Sequence, residues 1–309
     1  MTQVSIVIPM YNEERYLPRC IDSLLKQSFS DFELIFTDDG SKDNSVNIVK
    51  NYMKKYPKIK IFKQNHKGLG AARNLGAKHS SGKIMLMIDS DMVFDKDYVA
   101  NLIRPIQDGK VIGTSHGTEL VANKENLWAR SWSLNRIPNP PKYCGQFRAI
   151  LTNKFFEAGG LDNSKGYFTD VLPKAGLAKV IKNAVCYHNN PETLKEAFKH
   201  SIWVGSSFFK KKEELPIYLK NYKYHLLSGL LIFFLILAFF FYYKPFSMLF
   251  LPLILVIAIF LGLESFALKR LIKEKDLAYL FSIPLLYIIR FSGYFIGFTK
   301  EFFKHINKR

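Results

Sequence analysis

Strand-like and helix-like patterns alternate with short connections over about the first third of the chain. That alternation predicts an α/β fold with a central, mostly parallel sheet of nucleotide-binding type. Two further observations bear on it. The strand-like runs end in acidic or glycine-containing turns, where ligands bind in such sheets. Beyond Tyr224, long uncharged stretches predict transmembrane helices behind that domain.

The elements follow in order. Val4 to Ile8 is a β-branched run closed by Pro9, a buried first strand. A helical pattern opens at Asn12, with Leu17, Ile21, Leu24 and Leu25 on one face. The second strand, Phe32 to Thr37, ends in Asp38-Asp39-Gly40-Ser41, and Asp43 or Ser45 suits the cap of the next helix. Lys58 to Phe62 is the third strand, Gly68-Leu-Gly70 opens a helix, and Ile84 to Ile88 is the fourth strand. After Asp91 a helix is expected over Lys96 to Ile106 and a strand over Val111 to Ser115. Glu119 to Lys142 has no clean period, which suits a substrate lid or a packed excursion equally. Strand character returns at Phe147 to Leu151 and around Val180 to Tyr187.

Composition sets limits. Of 309 residues, 48% are hydrophobic and 15% aromatic, which excludes a disordered chain. The net charge of +18 calls for anionic partners. Its lysines gather beside the apolar stretches, so lipid and nucleotide phosphates fit better than nucleic acid. Cys20, Cys144 and Cys186 show no metal or redox spacing and read as reduced thiols. Met1-Thr-Gln leads directly into a strand, so no signal peptide is expected and the first domain stays in the cytoplasm.

The expected domains are a catalytic domain over 1–190, an amphipathic interfacial helical region over 191–224, a transmembrane hairpin over 225–264, and a basic loop with a third membrane-embedded helix over 265–309. Each arm of the hairpin is long enough to cross roughly 30 Å of hydrocarbon. Lys210-Lys-Lys212 before it and Lys269, Arg270, Lys273 and Lys275 after it place both ends in the cytoplasm. This describes a multi-pass cell-membrane protein. Leu277 to Phe298 is interrupted by Pro284 and Arg290, so it spans or re-enters.

Asp89-Ser90-Asp91 closes the fourth strand. Alternate residues of an extended segment point the same way, so the two carboxylates suit a shared divalent cation, Mn²⁺ or Mg²⁺. An ordinary acidic turn would look the same.

Ser5-Ile-Val-Ile-Pro9-Met-Tyr11-Asn-Glu13, Asp38-Asp39-Gly40-Ser41, Gly70-Ala-Ala-Arg73-Asn74 and Asp89-Ser-Asp91 occur in that order, each at a strand end. Together they resemble the family 2 glycosyltransferases, inverting enzymes of the GT-A nucleotide-sugar-binding fold, over about residues 1 to 210. The resemblance implies that Pro9, Tyr11 and Glu13 line the nucleoside slot, with Asp39 on the base. It places Arg73 at the pyrophosphate, and Asp89, Ser90 and Asp91 at the diphosphate and its metal. Helix capping for Asp39 and a surface ion pair for Arg73 are the structural alternatives. In the family a catalytic base follows a Gly-Gly-Phe-Asp-Glu turn. Here Gly159-Gly160-Leu-Asp162 leads to Thr169-Asp170, which makes Asp170 the base or a helix cap. Cys186-Tyr187-His188 matches a strand-end histidine that completes the metal site in some members.

The implied activity is transfer of a sugar from a UDP- or GDP-sugar to a membrane-lipid-linked acceptor in glycan assembly. A polyprenyl-phosphate sugar synthase shares the fold and hairpin but usually carries Gln where Val93 stands. An inactive nucleotide-sugar-binding scaffold is the reading from outside the enzymes.

Overall fold

The computed structural model describes residues 2–132, 142–161, 173–208 and 276–306. Asp170 and the expected hairpin over 225–264 lie outside the described residues. The chain divides into two units, Met1–Asn123 with Ile137–Asn189, and Lys124–Arg136 with Asn190–Arg309.

Among the described residues of the first unit, nine strands form one sheet. Strands β1 (Val4–Met10), β2 (Phe32–Asp38), β3 (Ile59–Lys63) and β4 (Ile84–Met87) are mutually parallel in the order β3-β2-β1-β4. Helices α1 (Leu17–Leu25), α2 (Ser45–Met53) and α3 (Leu69–Lys78) connect them. Val4, Ile6 and Ile8 of β1 pack with Leu17, Ile21 and Leu24 of α1, while Val7 faces the second core layer with Met85, Met87 and Phe155. Burial on both faces explains why these strands are apolar throughout rather than alternating.

The other half is mixed. Strand β5 is Met92–Phe94, followed by α4 (Tyr98–Gln107), β6 (Gly113–Val121), α5 (Leu127–Trp132), β7 (Tyr143–Cys144), β8 (Ala149–Leu151), α6 (Thr152–Glu157) and β9 (Ala178–His188). The order continues β4-β8-β6-β9-β5, with β7 also on β9. β8 is antiparallel to β4 and β6, β6 is parallel to β9, and β5 is antiparallel to β9.

Several boundaries differ from expectation for physical reasons. β1 runs through Pro9 to Met10. Its ladder to β4 ends at Val7, so the missing N–H of Pro9, which points to the same side as Val7, interrupts no bond. The first helix begins at Leu17, not Asn12. Asn12 is left-handed at φ 57°, and the N–H groups of Asn12, Glu13 and Glu14 donate to Ser41 Oγ, Ser45 Oγ and Asp43 Oδ2 at 3.0, 2.8 and 3.1 Å. Those bonds tie the chain to the turn after β2 instead of to a helix. They also take Ser45 out of a capping role, and Asn44 is the N-cap residue of α2.

The second unit holds α5, α7 (Leu194–Phe208) and α8 (Tyr279–Ile306). Asn126 Oδ1 caps α5 by accepting from Trp128 N and Ala129 N. Thr193 Oγ1 accepts from Glu196 N at the start of α7. α7 and α8 approach closely: a Cβ on Gly205 would lie 2.4 Å from Tyr294 O, and one on Gly293 2.4 Å from Ser201 Cβ. The small residues Ser201, Gly205, Gly293 and Gly297 at four-residue spacing let the backbones meet. Arg290, which interrupts the apolar pattern, stacks 3.8 Å over Trp132 and donates to Trp132 O at 2.6 Å. Its guanidinium thus meets protein groups. Among the described residues, no helix is long and apolar enough to cross a membrane. The expected third membrane-embedded segment is a helix, but charge at Arg290, Lys300, Glu301 and Lys304 shortens its apolar run.

Candidate active site

The site gathers in the first unit at the carboxyl ends of β1, β2 and β4. Gly40, at φ 86°, turns the chain sharply after β2. Just before it, Asp39 is buried. Its Oδ1 accepts from Gln64 Nε2 at 2.7 Å and Lys67 N at 2.8 Å. Its Oδ2 accepts from Gly68 N at 2.9 Å and lies 2.8 Å from His66 Nδ1. Four donors fill the roughly four acceptor positions of a carboxylate. Asp39 therefore organises the loop 64–68. The groups exposed above it are Tyr11 and His66, stacked with ring centroids 4.3 Å apart. Pro9 is buried in the strand below them.

Asp89 follows β4. Arg73 Nη2 donates to its Oδ1 at 2.5 Å, and Arg148 Nη1 to its Oδ2 at 3.0 Å. Burial alone would raise the Asp89 pKa. Arg148, then Arg73 and His188, reverse that and hold the carboxyl well below the usual range. Arg73 is 1% exposed, so it is no surface pair, and its guanidinium meets Asp89. Both oxygens of Asp89 carry guanidinium bonds. Ser90 between them is buried.

Asp91 has a different partner. Its Oδ2 lies 3.2 Å from His188 Nε2, and its carbonyl accepts from Asn189 N and Nδ2 at 3.2 and 2.7 Å. The cause is β5, which pairs Met92 with His188 and brings the end of β9 to the end of β4. Glu13 also faces this cluster. Burial first, then Asp91, Asp89 and Asp43, push its carboxyl up to about 8, against an opposing pull from His188. The protonated form of Glu13 is therefore favoured at neutral pH.

Among the described residues no group of three or more His, Cys, Asp or Glu could hold a metal. A carboxylate and an imidazole are nonetheless a suitable donor pair for an ion that keeps waters and substrate phosphates in its remaining positions. The crowding of acidic groups that raises Glu13 is of the kind a cation relieves. The residues fit a divalent ion held by Asp91 and His188.

Sequence reasoning missed Arg148, His66 and Asn189. Arg148 had no motif signal, and its pairing depends on β8 lying beside β4. A buried arginine in the apolar segment Phe147 to Leu151 was the available clue.

The comparisons with known proteins bear on family and fold. The model of the family described as "Glycosyl transferase family 2" matches residues 5–161. A glycosyltransferase of Haemophilus influenzae is 40% identical over 246 residues, covering 74% of this chain and 95% of that one. In three further relatives, from Streptococcus pneumoniae, Bacillus subtilis and Nostoc sp., the matched stretch spans only 15%, 27% and 37% of the relative's length. Among solved structures, the mannosyltransferase PcManGT of Pyrobaculum calidifontis, in complex with GDP-Man and Mn²⁺, aligns with a TM-score of 0.58 and 16% identity over 98% of this chain and 87% of that one. TarS 1-349 of S. aureus, in complex with UDP-GlcNAc, aligns with a TM-score of 0.53 and 16% identity over 96% and 91%. At such identities these two structures bear on the fold alone. The family match covers half of the chain, including the ends of β1, β2 and β4, and the chain belongs to glycosyl transferase family 2.

Proposed function

We propose that this enzyme transfers a sugar, with inversion, from a UDP- or GDP-sugar to a lipid-linked acceptor at the cytoplasmic face of a membrane. The observation that carries the donor reading is the pair of acidic strand-end residues in contrasting settings: Asp89 between two arginines, Asp91 beside His188. One is an ionised hydrogen-bond acceptor and the other half of a cation site, which together suit a nucleoside diphosphate. A divalent ion bound there would neutralise charge on the departing diphosphate. Tyr11 and His66 offer stacked ring faces for a base. Arg73 and Arg148 bring positive charge to Asp89, which suits an anionic donor.

Inversion requires a base on the far side of the sugar to take the acceptor hydroxyl's proton. Asp170 takes that role in this reading, on the strength of its place after Gly159-Gly160. The lipid-linked acceptor and multi-pass setting rest on the uncharged stretches over 225–264 and the lysines beside them.

The test is a donor screen with UDP- and GDP-sugars in membranes containing polyprenyl-linked acceptors, with Mn²⁺, Mg²⁺ or EDTA. Metal-dependent transfer that Asp170→Asn abolishes while nucleotide binding survives is the expected result. Full activity in EDTA rejects the metal, retention of configuration rejects inversion, and full activity of Asp170→Asn rejects the base.

A further inference from the structure

Strand β5 follows Asp91 directly, and its first residue, Met92, pairs with His188. The 3.2 Å approach of Asp91 Oδ2 to His188 Nε2 is therefore set by where β5 lies. Among the described residues β5 pairs with β9 alone, through three residue pairs. So short a ladder holds a strand weakly, and its other edge needs partners of its own.

Helix α1 and the residues just past it supply them. Phe94 N donates to Ser23 Oγ at 3.2 Å, a bond of the kind a neighbouring strand's carbonyl would otherwise accept. Asp95 O accepts from Gln27 Nε2 at 2.7 Å, and Lys96 O from Ser28 N at 2.8 Å. Gln27 is 8% exposed and uses both ends of its amide. Its nitrogen also donates to Ser23 O at 3.1 Å, and its Oε1 accepts from Val99 N at 2.9 Å. Two carbonyls on one side and an N–H on the other admit a single orientation of the amide. Val99 lies in the first turn of α4, where N–H groups have no partner in their own helix. The N-cap residue Asp97 makes no side-chain cap bond there, and Gln27 serves Val99 N from 72 residues away. An apolar side chain in its place would fill the space but leave the buried Val99 N–H without this bond.

These bonds fix the chain from Phe94 to Val99, and through it β5. Metal ligands must keep their places within about 0.2 Å for a site to hold its ion. Support from behind the ligands is worth about ten- to a hundredfold in metal affinity.

We propose that Gln27, with Ser23, is a positioning residue of the cation site: from the end of α1 it holds β5 in register with β9, and so keeps Asp91 opposite His188. The inference rests on the assignment of the cation to those two residues in the reading above. Gln27 acts on the ligands through β5.

Calorimetric titration of the whole chain with UDP and GDP, in EDTA and over a range of Mn²⁺ concentrations, tests this. Gln27→Leu raises the Mn²⁺ concentration needed for half of the metal-dependent gain in nucleotide affinity by about tenfold. Affinity in EDTA stays as in the wild type. Ser23→Ala moves the Mn²⁺ requirement the same way by a smaller factor, and Ser23→Thr, which keeps the hydroxyl, restores it. A lowered melting temperature with an unchanged Mn²⁺ requirement assigns Gln27 a purely structural role and overturns the proposal. So does an equal loss of affinity in EDTA and in Mn²⁺, which marks a general disturbance of the site. If Gln27→Leu does not fold, Ser23→Ala decides: a raised Mn²⁺ requirement supports the proposal and an unchanged one overturns it. A wild-type protein whose nucleotide binding is indifferent to Mn²⁺ overturns the cation reading together with this inference. A Mn²⁺-dependent wild type matched by Gln27→Leu overturns this inference alone.

Discussion

The parallel and mixed halves of the sheet each place a carboxylate at the end of a strand, and they satisfy it by different means. Asp39, in the parallel half, is bonded by groups of the loop 64–68, the connection that follows the adjacent strand β3. Asp89 and Asp91, at the seam, are met by Arg148 and His188, which arrive on β8 and β9 after long detours of chain. The first arrangement follows from consecutive strand-helix units and the right-handed crossovers between them. The second depends on antiparallel pairings among short strands far apart in sequence. Half of the site is thus assembled by neighbouring segments, and the half assigned here to the cation is assembled by long-range register.

The largest expected effect comes from breaking the seam. Asp91→Ala should lower sugar transfer on the order of a thousandfold, since a catalytic metal supplies several kcal/mol. His188→Ala should cost less, about ten- to a hundredfold, with a raised Mn²⁺ requirement measured in activity titrations. Equal, negligible effects would show that the seam does not hold the ion.

Next in size is a change to the parallel half that leaves the site residues alone. A Cβ on Gly82 would stand 2.6 Å from Ser5 N and 2.7 Å from Val4 C, backbone atoms that have little room to yield. Gly82→Ala should destabilise the protein by about 1–3 kcal/mol in urea unfolding. An unchanged midpoint would mean that β1 and the turn before β4 separate easily.

The smallest effect is one of pH, within the parallel half. Glu33 is 3% exposed and accepts from Ser5 Oγ, Lys60 Nζ, Ser81 Oγ and Ser81 N at 2.7, 2.7, 2.6 and 2.9 Å. Burial raises its pKa, but the bonds from Lys60, Ser81 and Ser5 together lower it to about 2 from the usual 4.5. A depressed native pKa stabilises the fold above the unfolded value. That contribution should be complete above about pH 4.5 and disappear as the pH falls toward 2. Glu33→Gln should flatten this acid limb in melting experiments from pH 5 to 2; an unaltered limb would assign acid sensitivity elsewhere.

Legibility in the sequence follows the same division. The apolar runs of β1 to β4 and the acidic ends of β2 and β4 could be read directly, because burial on both faces leaves a strong local signature. Strand β5 could not: its three residues follow an acidic turn and acquire strand geometry by pairing with β9. The helical opening at Asn12 was misread because helix propensity there is overridden by bonds to Ser41, Ser45 and Asp43 from the next connection. Arg73 stood out by its motif, but its bond to Asp89 did not, because it depends on how α3 packs beside β4.

By itself, then, the sequence determined the α/β class, the succession of the first strands and which acidic residues stand at their ends. These follow from local periodicity and from side-chain type, which need no knowledge of distant partners. Only the tertiary structure decided what each carboxylate does: Asp39 organises a loop, Asp89 is held by two arginines, and Asp91 stands beside His188. The physical reason is that a carboxylate's role depends on the charges and donors packed around it, and here strand pairing across the sheet supplies them.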